Sequence, residues 1–146
     1  MIKVTTKIDR PINVVWNYFT ETGNWNKWHG GELKEVIPGW QKGAKLFWSL
    51  GGSSLITNII PHKEICTSGA WMDVTYRFNK KGNTATILEI IESDPKGGAI
   101  FTDGGAAHKA QQETTIHKLK ACIESETKDT KLASKTQEKK WWQFWK

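Results

Sequence analysis

Residues 8–28 read IDRPINVVWNYFTETGNWNKW, and this stretch decides the fold. Asp9-Arg10-Pro11 marks a helix start. Asp9 or a neighbour caps orphan N–H groups, and proline fits the first turn because the donor it lacks has no partner there. Ile12, Val15 and Phe19 then recur at helical spacing, with Trp16 beside them. Thr22-Gly23-Asn24 breaks the helix, and Trp25–Trp28 holds one short further turn before Gly30-Gly31. Upstream, Ile2–Ile8 alternates as a strand with Val4, Thr6 and Ile8 on one face.

Downstream the pattern changes to strands punctuated by turn residues. Runs at 32–37, 45–50, 55–60 and 64–68 are separated by Pro38-Gly39, Gly51-Gly52-Ser53 and Pro61-His62. Residues 71–79 alternate clearly, with Met72, Val74, Tyr76 and Phe78 on one face and Asp73, Thr75 and Arg77 on the other. A glycine-containing loop leads to a last strand at 84–93. From 105 to 124 the spacing is helical again: Ile116, Leu119 and Ile123 form a stripe that Ala110 and Gln112 extend. A meander with one apolar face needs a cover, and this long helix is the only element large enough.

The order of elements resembles the helix-grip superfamily of START-like lipid-transfer domains, pollen-allergen-like proteins and polyketide cyclases (SRPBCC proteins). The opening strand followed by IDRPINVVWNYFTETGNWNKW is similar to that family's strand, proline-started helix and tryptophan-ended second helix. GGELKEVIPGWQKGAKLFW, residues 30–48, resembles its next two strands. The resemblance covers residues 1–124 and implies an α+β fold: a curved antiparallel sheet of about seven strands wrapped around a long C-terminal helix, with two short helices after strand 1. It also implies an apolar cavity between sheet and helix, but no particular substrate.

Trp28, Trp48, Met72 and Tyr76 are candidates for lining that cavity, with Gln112, Thr115 and Leu119 on the long helix. The same aromatics equally serve as core. Four histidines are available for acid–base work. His62 sits in a turn and reads as solvated, His29 lies near the cavity's end, and His108 and His117 fall on different faces of the long helix. Glu89 and Glu92 lie on opposite strand faces, so one of them points inward, while Asp73 reads as outward. No metal spacing, nucleophile motif or clustered acid–base set stands out, so no catalytic residue, metal or cofactor is assigned. Cys66 and Cys122 read as buried, unpaired thiols.

Apolar residues make up 38% and charged residues 25% of the 146, which suits a globular chain rather than a disordered or membrane-spanning one. The +6 net charge is divided: from 125 onward six lysines face three acids, and 1–124 holds fifteen basic against twelve acidic residues. Neither part has the concentrated basic stripe of a nucleic-acid binder, so no nucleic-acid partner is expected. Nothing resembling a signal peptide opens the chain, and the expected location is cytoplasmic.

Residues 125–140 read as a charged linker or helix extension, and 141–146 as a tryptophan-rich tail. If helical, Trp141, Trp142, Phe144 and Trp145 share a sector of about 160° bordered by lysines. Three readings stay open: docking at the inner membrane face, docking on a protein partner or a neighbouring copy, and folding back over its own domain. The leading functional reading is a non-catalytic binding or carrier protein for an apolar or amphipathic, lipid-like small molecule. The alternatives are a polyketide cyclase or dehydratase-type enzyme, using His29 or an inward glutamate, and a protein-interaction module similar to the heat-shock-protein ATPase activators of the same superfamily.

Overall fold

A computed structural model describes residues 1–69, 72–94 and 105–127. Strand β1 (Ile2–Ile8) runs into helix α1 (Ile12–Phe19), a 3-10 turn (Thr22–Asn24) and helix α2 (Trp25–Trp28). Six strands follow: β2 (Leu33–Ile37), β3 (Lys45–Trp48), β4 (Ser53–Ile60), β5 (Glu64–Ser68), β6 (Asp73–Lys81) and β7 (Ala85–Ser93). Helix α3 (Ala106–Glu126) completes the described elements.

The strands form one antiparallel sheet in the order β1-β7-β6-β5-β4-β3-β2. Short turns pair consecutive strands, while the helical excursion after β1 lets that strand close the meander beside β7. Register shifts at Leu33/Glu35 and Ile56/Asn58 break the ladders, and such irregularities bend strands. At the β3–β4 turn, Gly51 and Gly52 have φ of 95° and 85°, a conformation that side chains oppose.

Period-two alternation sends Val4, Ile8, Tyr76, Phe78, Leu88 and Ile90 to one face, where they meet α1, α2 and α3. The centre of this core is aromatic. Phe19 lies with ring centroids 4.9 Å from both Trp25 and Tyr76 and 5.2 Å from Phe78. The Trp25 indole N–H donates to the Phe19 carbonyl at 2.6 Å, which ties the short second helix to the end of the first. Burial of Tyr18 and Phe19 together with Val15 and Trp16 gives α1 a broad inner face.

Helix α3 packs over β1 and α2 through Ile116, Leu119 and Ile123, as its stripe requires. Its C-terminal end is held by polar contacts. Tyr18 Oη donates to Glu126 Oε2 at 2.7 Å, the Lys27 ammonium pairs with the same carboxylate, and the Arg10 Nε donates to Thr127 Oγ1 at 3.0 Å. Lys27 first, and then Tyr18, pull the Glu126 carboxyl below its ordinary pKa. No helix among the described residues is long and apolar enough to cross a membrane.

Several local expectations need correction. Pro11 itself occupies the N-cap position of α1, and no side chain caps the helix. Asp9 instead lies in the bend just past β1: its N–H donates to Glu124 Oε2 at 2.8 Å and its carboxylate lies 3.5 Å from Lys7. Ala110 is exposed, because it lies about 200° around the helix from half-buried His108. The inner stripe of α3 therefore starts from His108 and passes through Gln112. The thiols of Cys66 and Cys122 are free but only half-buried, and burial pushes the Cys66 thiol's pKa up. The helix runs two residues beyond 124, to Glu126.

Candidate functional site

The concave face holds a hollow of about 330 Å³ near the β3–β4 turn. Strand alternation supplies its floor: Leu46 from β3, Thr67 from β5, and Val74 and Tyr76 from β6. His29, just past α2, and Trp48, at the end of β3, form one wall, and Met72 and the Gly51-Gly52 turn lie at the rim. Because glycines occupy that turn, the rim carries no side chains there.

The wall is held from both sides. The His29 ring stacks on Trp48 at 5.1 Å with an interplanar angle of 26°. His29 Nδ1 lies 3.0 Å from the Gly31 nitrogen and 3.1 Å from the Gly31 carbonyl oxygen, so one residue fixes the ring in either tautomer. The Trp48 indole N–H donates to Ser54 Oγ at 3.1 Å. These polar contacts orient rings that hydrophobic packing alone would leave free to pivot.

Burial lowers the His29 pKa from its ordinary 6.5, because the charged ring loses hydration. The unfolded chain therefore takes up this proton more readily. Its contribution to stability is complete above 6.5 and is lost as pH falls through the lowered folded-state value. Urea unfolding at neutral pH and near pH 5 should show wild type losing more stability than His29→Phe. Equal losses in the two proteins would exclude His29 as the source.

Beside this hollow lies a carboxyl–imidazole hydrogen bond that spacing did not reveal. Glu92 continues the inner face of β7 and sits opposite Val74, whose side chain borders the hollow. Only 4% of the Glu92 side chain is exposed, and its Oε2 lies 2.7 Å from His108 Nε2 in the first turn of α3. Adjacent inner-face positions are roughly 5 Å apart, which brings the pair within one strand of the hollow. Burial, and then the Glu92 charge, push the Tyr76 hydroxyl's pKa well up, so it remains a hydrogen-bond donor at neutral pH. Glu89, on the other face, lies 3.6 Å from Lys3 and 3.8 Å from Arg77.

Sequence spacing showed no clustered acid–base set; the fold sets the buried Glu92 carboxylate against His108, with its charge felt at the Tyr76 hydroxyl. Alternation pointed to one inward glutamate, but its partner comes from a helix 16 residues away, which no spacing rule predicts. Asp73 lies on the face opposite Tyr76, as read, yet is half-buried, and its Oδ1 has no hydrogen-bond partner among the described residues.

The other sequence candidates divide. Trp48, Met72 and Tyr76 border the hollow together. Trp28 is 2% exposed and packs in the core between Phe19, Trp25 and His29. Its indole N–H has no hydrogen-bond partner among the described residues. Gln112 and Thr115 are half-buried and Leu119 fully buried on the inner stripe of α3, away from the described hollow. Trp141, Trp142, Phe144 and Trp145 lie outside the described residues.

Solved structures share the fold. DynU16, from the dynemicin biosynthetic locus, has a TM-score of 0.67 at 18% identity, covering 86% of this chain and 48% of its own. CalU16 from Micromonospora echinospora has 0.65 at 18%, over 85% and 76%. Aha1 from Colwellia psychrerythraea, solved as a dimer, has 0.64 at 17%, over 84% and 95%. This is the helix-grip fold. Identity at this level speaks for architecture alone, and the helix-grip chain described here spans about half the length of DynU16. No family model and no curated protein matches the sequence.

Proposed function

We propose that the protein binds an apolar or amphipathic small molecule in the hollow between His29, Trp48, Met72 and Tyr76. What supports this is a concave, mostly apolar surface with a few converging polar groups, the usual composition of a ligand site. Aliphatic and aromatic walls remove ligand surface from water, while Ser54, Thr67 and Tyr76 offer hydroxyls that fix orientation. A hollow of about 330 Å³ lies at the small end of the range of roughly 300–1,000 Å³ for such sites, which favours a compact ring system or short chain over a two-tailed lipid.

Gentle purification followed by native mass spectrometry tests the reading. A small molecule at near one per chain is expected in wild type. Ser54→Phe, which projects a ring into the hollow, should lower its occupancy or affinity at least about tenfold, equivalent to roughly 1.4 kcal/mol. Equal retention by the two proteins would move binding elsewhere.

The Glu92–His108 pair favours a second reading, in which the bound molecule also undergoes proton transfer. A carboxylate hydrogen-bonded to a histidine orients the ring and stabilises its protonated form, as general acid–base chemistry requires. With the Tyr76 hydroxyl as a donor to a carbonyl oxygen, the group suits enolisation or dehydration of a carbonyl compound. Under this reading Glu92→Gln retains the co-purifying molecule and abolishes its conversion, whereas a pure carrier returns it unchanged from both proteins.

A further inference from the structure

A second apolar surface lies outside the ligand hollow. Ile12, Trp16 and Thr20 follow one another at i, i+4 and i+8 along α1, so they share a face. Ile59, Ile60, Pro61 and His62 at the β4–β5 turn face them across a trough. Two hollows of about 540 and 460 Å³ lie along it, and Pro61 borders both. The Trp16 ring stands between them, 5.6 Å from the His62 ring and 5.1 Å from Phe78. Ile60 remains 42% exposed. A surface lined by isoleucine, proline and aromatic rings is one that water leaves readily to an apolar partner.

We propose that this trough is the seat of the chain's own aromatic tail, Trp141, Trp142, Phe144 and Trp145. The exit point of the chain supports that occupant. Thr127 is held by Arg10, two residues before Ile12 at one end of the trough. From there, residues 128–140 form a polar connection without proline or glycine. As a coil, thirteen residues span about 20 Å, enough to place the tail anywhere along α1. A short tether holds its cargo at an effective concentration on the order of millimolar, so an individually weak contact is populated.

The chemistry also matches. Four large rings account for most of the last six residues, and the trough offers them exposed Ile60 and Pro61 above the buried rings of Trp16 and Phe78. Lys63, Arg77 and Lys80 line its edge and can lie against indole faces. Arg77 is also paired with Glu64 at 3.2 Å, which keeps its guanidinium in place. The inference is independent of the ligand reading, because the trough and the ligand hollow share no lining residue among those described.

Amide spectra of the full chain and of a chain ending at Lys140 test it. Loss of the tail should shift the amides of Ile12, Trp16, Ile60, His62 and Lys63, and leave those of the β3–β4 turn in place. In the full chain Ile60→Asp, at an exposed position, should reproduce the trough shifts and raise acrylamide quenching of tryptophan fluorescence. Unchanged trough amides on truncation would overturn the proposal. So would shifts that grow with protein concentration, since those mark a second copy as the occupant. Binding of the full chain to anionic vesicles at equal affinity in wild type and Ile60→Asp would also overturn it, because a docked tail must be released before it can reach a membrane.

Discussion

Phe19→Ala is expected to destabilise the fold by about 3–5 kcal/mol, the range for deleting a large buried ring. The residue is fully buried, and its neighbours are themselves rings held from several directions. Trp25 and Tyr76 stand 4.9 Å away, Phe78 5.2 Å, Trp28 5.6 Å and Trp40 6.3 Å, by ring centroids. Tyr76 and Phe78 are fixed by β6, while Trp25 is anchored through its indole N–H to the Phe19 carbonyl. Planar groups constrained in this way collapse poorly into a void, so the cavity cost adds to the lost transfer energy. Single domains are stable by about 5–15 kcal/mol, hence the loss is a large share of the whole. Urea unfolding measures it, with Leu50→Ala as a control at a 99% exposed position that should change stability by less than about 0.5 kcal/mol. A loss below about 1 kcal/mol for Phe19→Ala would mean that the aromatic cluster repacks freely.

His108→Ala should cost about 3 kcal/mol, and the reason is electrostatic rather than steric. The substitution takes the donor at 2.7 Å from a carboxylate that is only 4% exposed, leaving a buried charge less compensated. The double variant Glu92→Leu/His108→Ala should recover part of that loss, since an apolar side chain on the inner face of β7 continues the series of Leu88 and Ile90. Urea unfolding of the two variants decides the point. If the double variant is no more stable than His108→Ala alone, desolvation of Glu92 is not the source of the cost. The same comparison bears on function, because a pair that costs stability to maintain is one that apolar packing would replace if the fold alone were at stake.

Much of the architecture was legible in the sequence. Alternation over Ile2–Ile8 agrees with its burial in the fold, where alternate residues are buried and exposed along the whole strand. The order of strands and turns through residue 93 also agrees, because turn glycines and prolines act locally and side chains alternate with a period of two. Boundaries were less legible: β3 stops at Trp48 rather than continuing to Leu50, since the chain must already turn toward Gly51-Gly52. The capping role expected of Asp9 failed because the helix is capped at Pro11, two residues on, and the Asp9 carboxylate lies 3.5 Å from Lys7 instead.

The hollow near the β3–β4 turn was legible only in part. Trp48, Met72 and Tyr76 are brought together at one hollow, since they lie on inner strand faces or at their ends. Trp28 is an equally large aromatic, yet it is core, because α2 turns it toward Phe19. Whether an inward aromatic borders a cavity or fills one depends on how closely another element approaches it, and that distance is not encoded in the residue's own neighbourhood.

By itself the sequence determined the order of elements, the inward faces of β1 and β6, the Ile116–Leu119–Ile123 stripe of α3 and the presence of one inward glutamate, all through short-range periodicity and turn chemistry. Tertiary structure alone decided that Glu92 meets His108, that His29 stacks on Trp48, and that α1 and the β4–β5 turn leave a trough between them. Each of these depends on the angle and separation at which two distant elements pack. Those quantities come from the summed packing of the whole core, which no local pattern specifies.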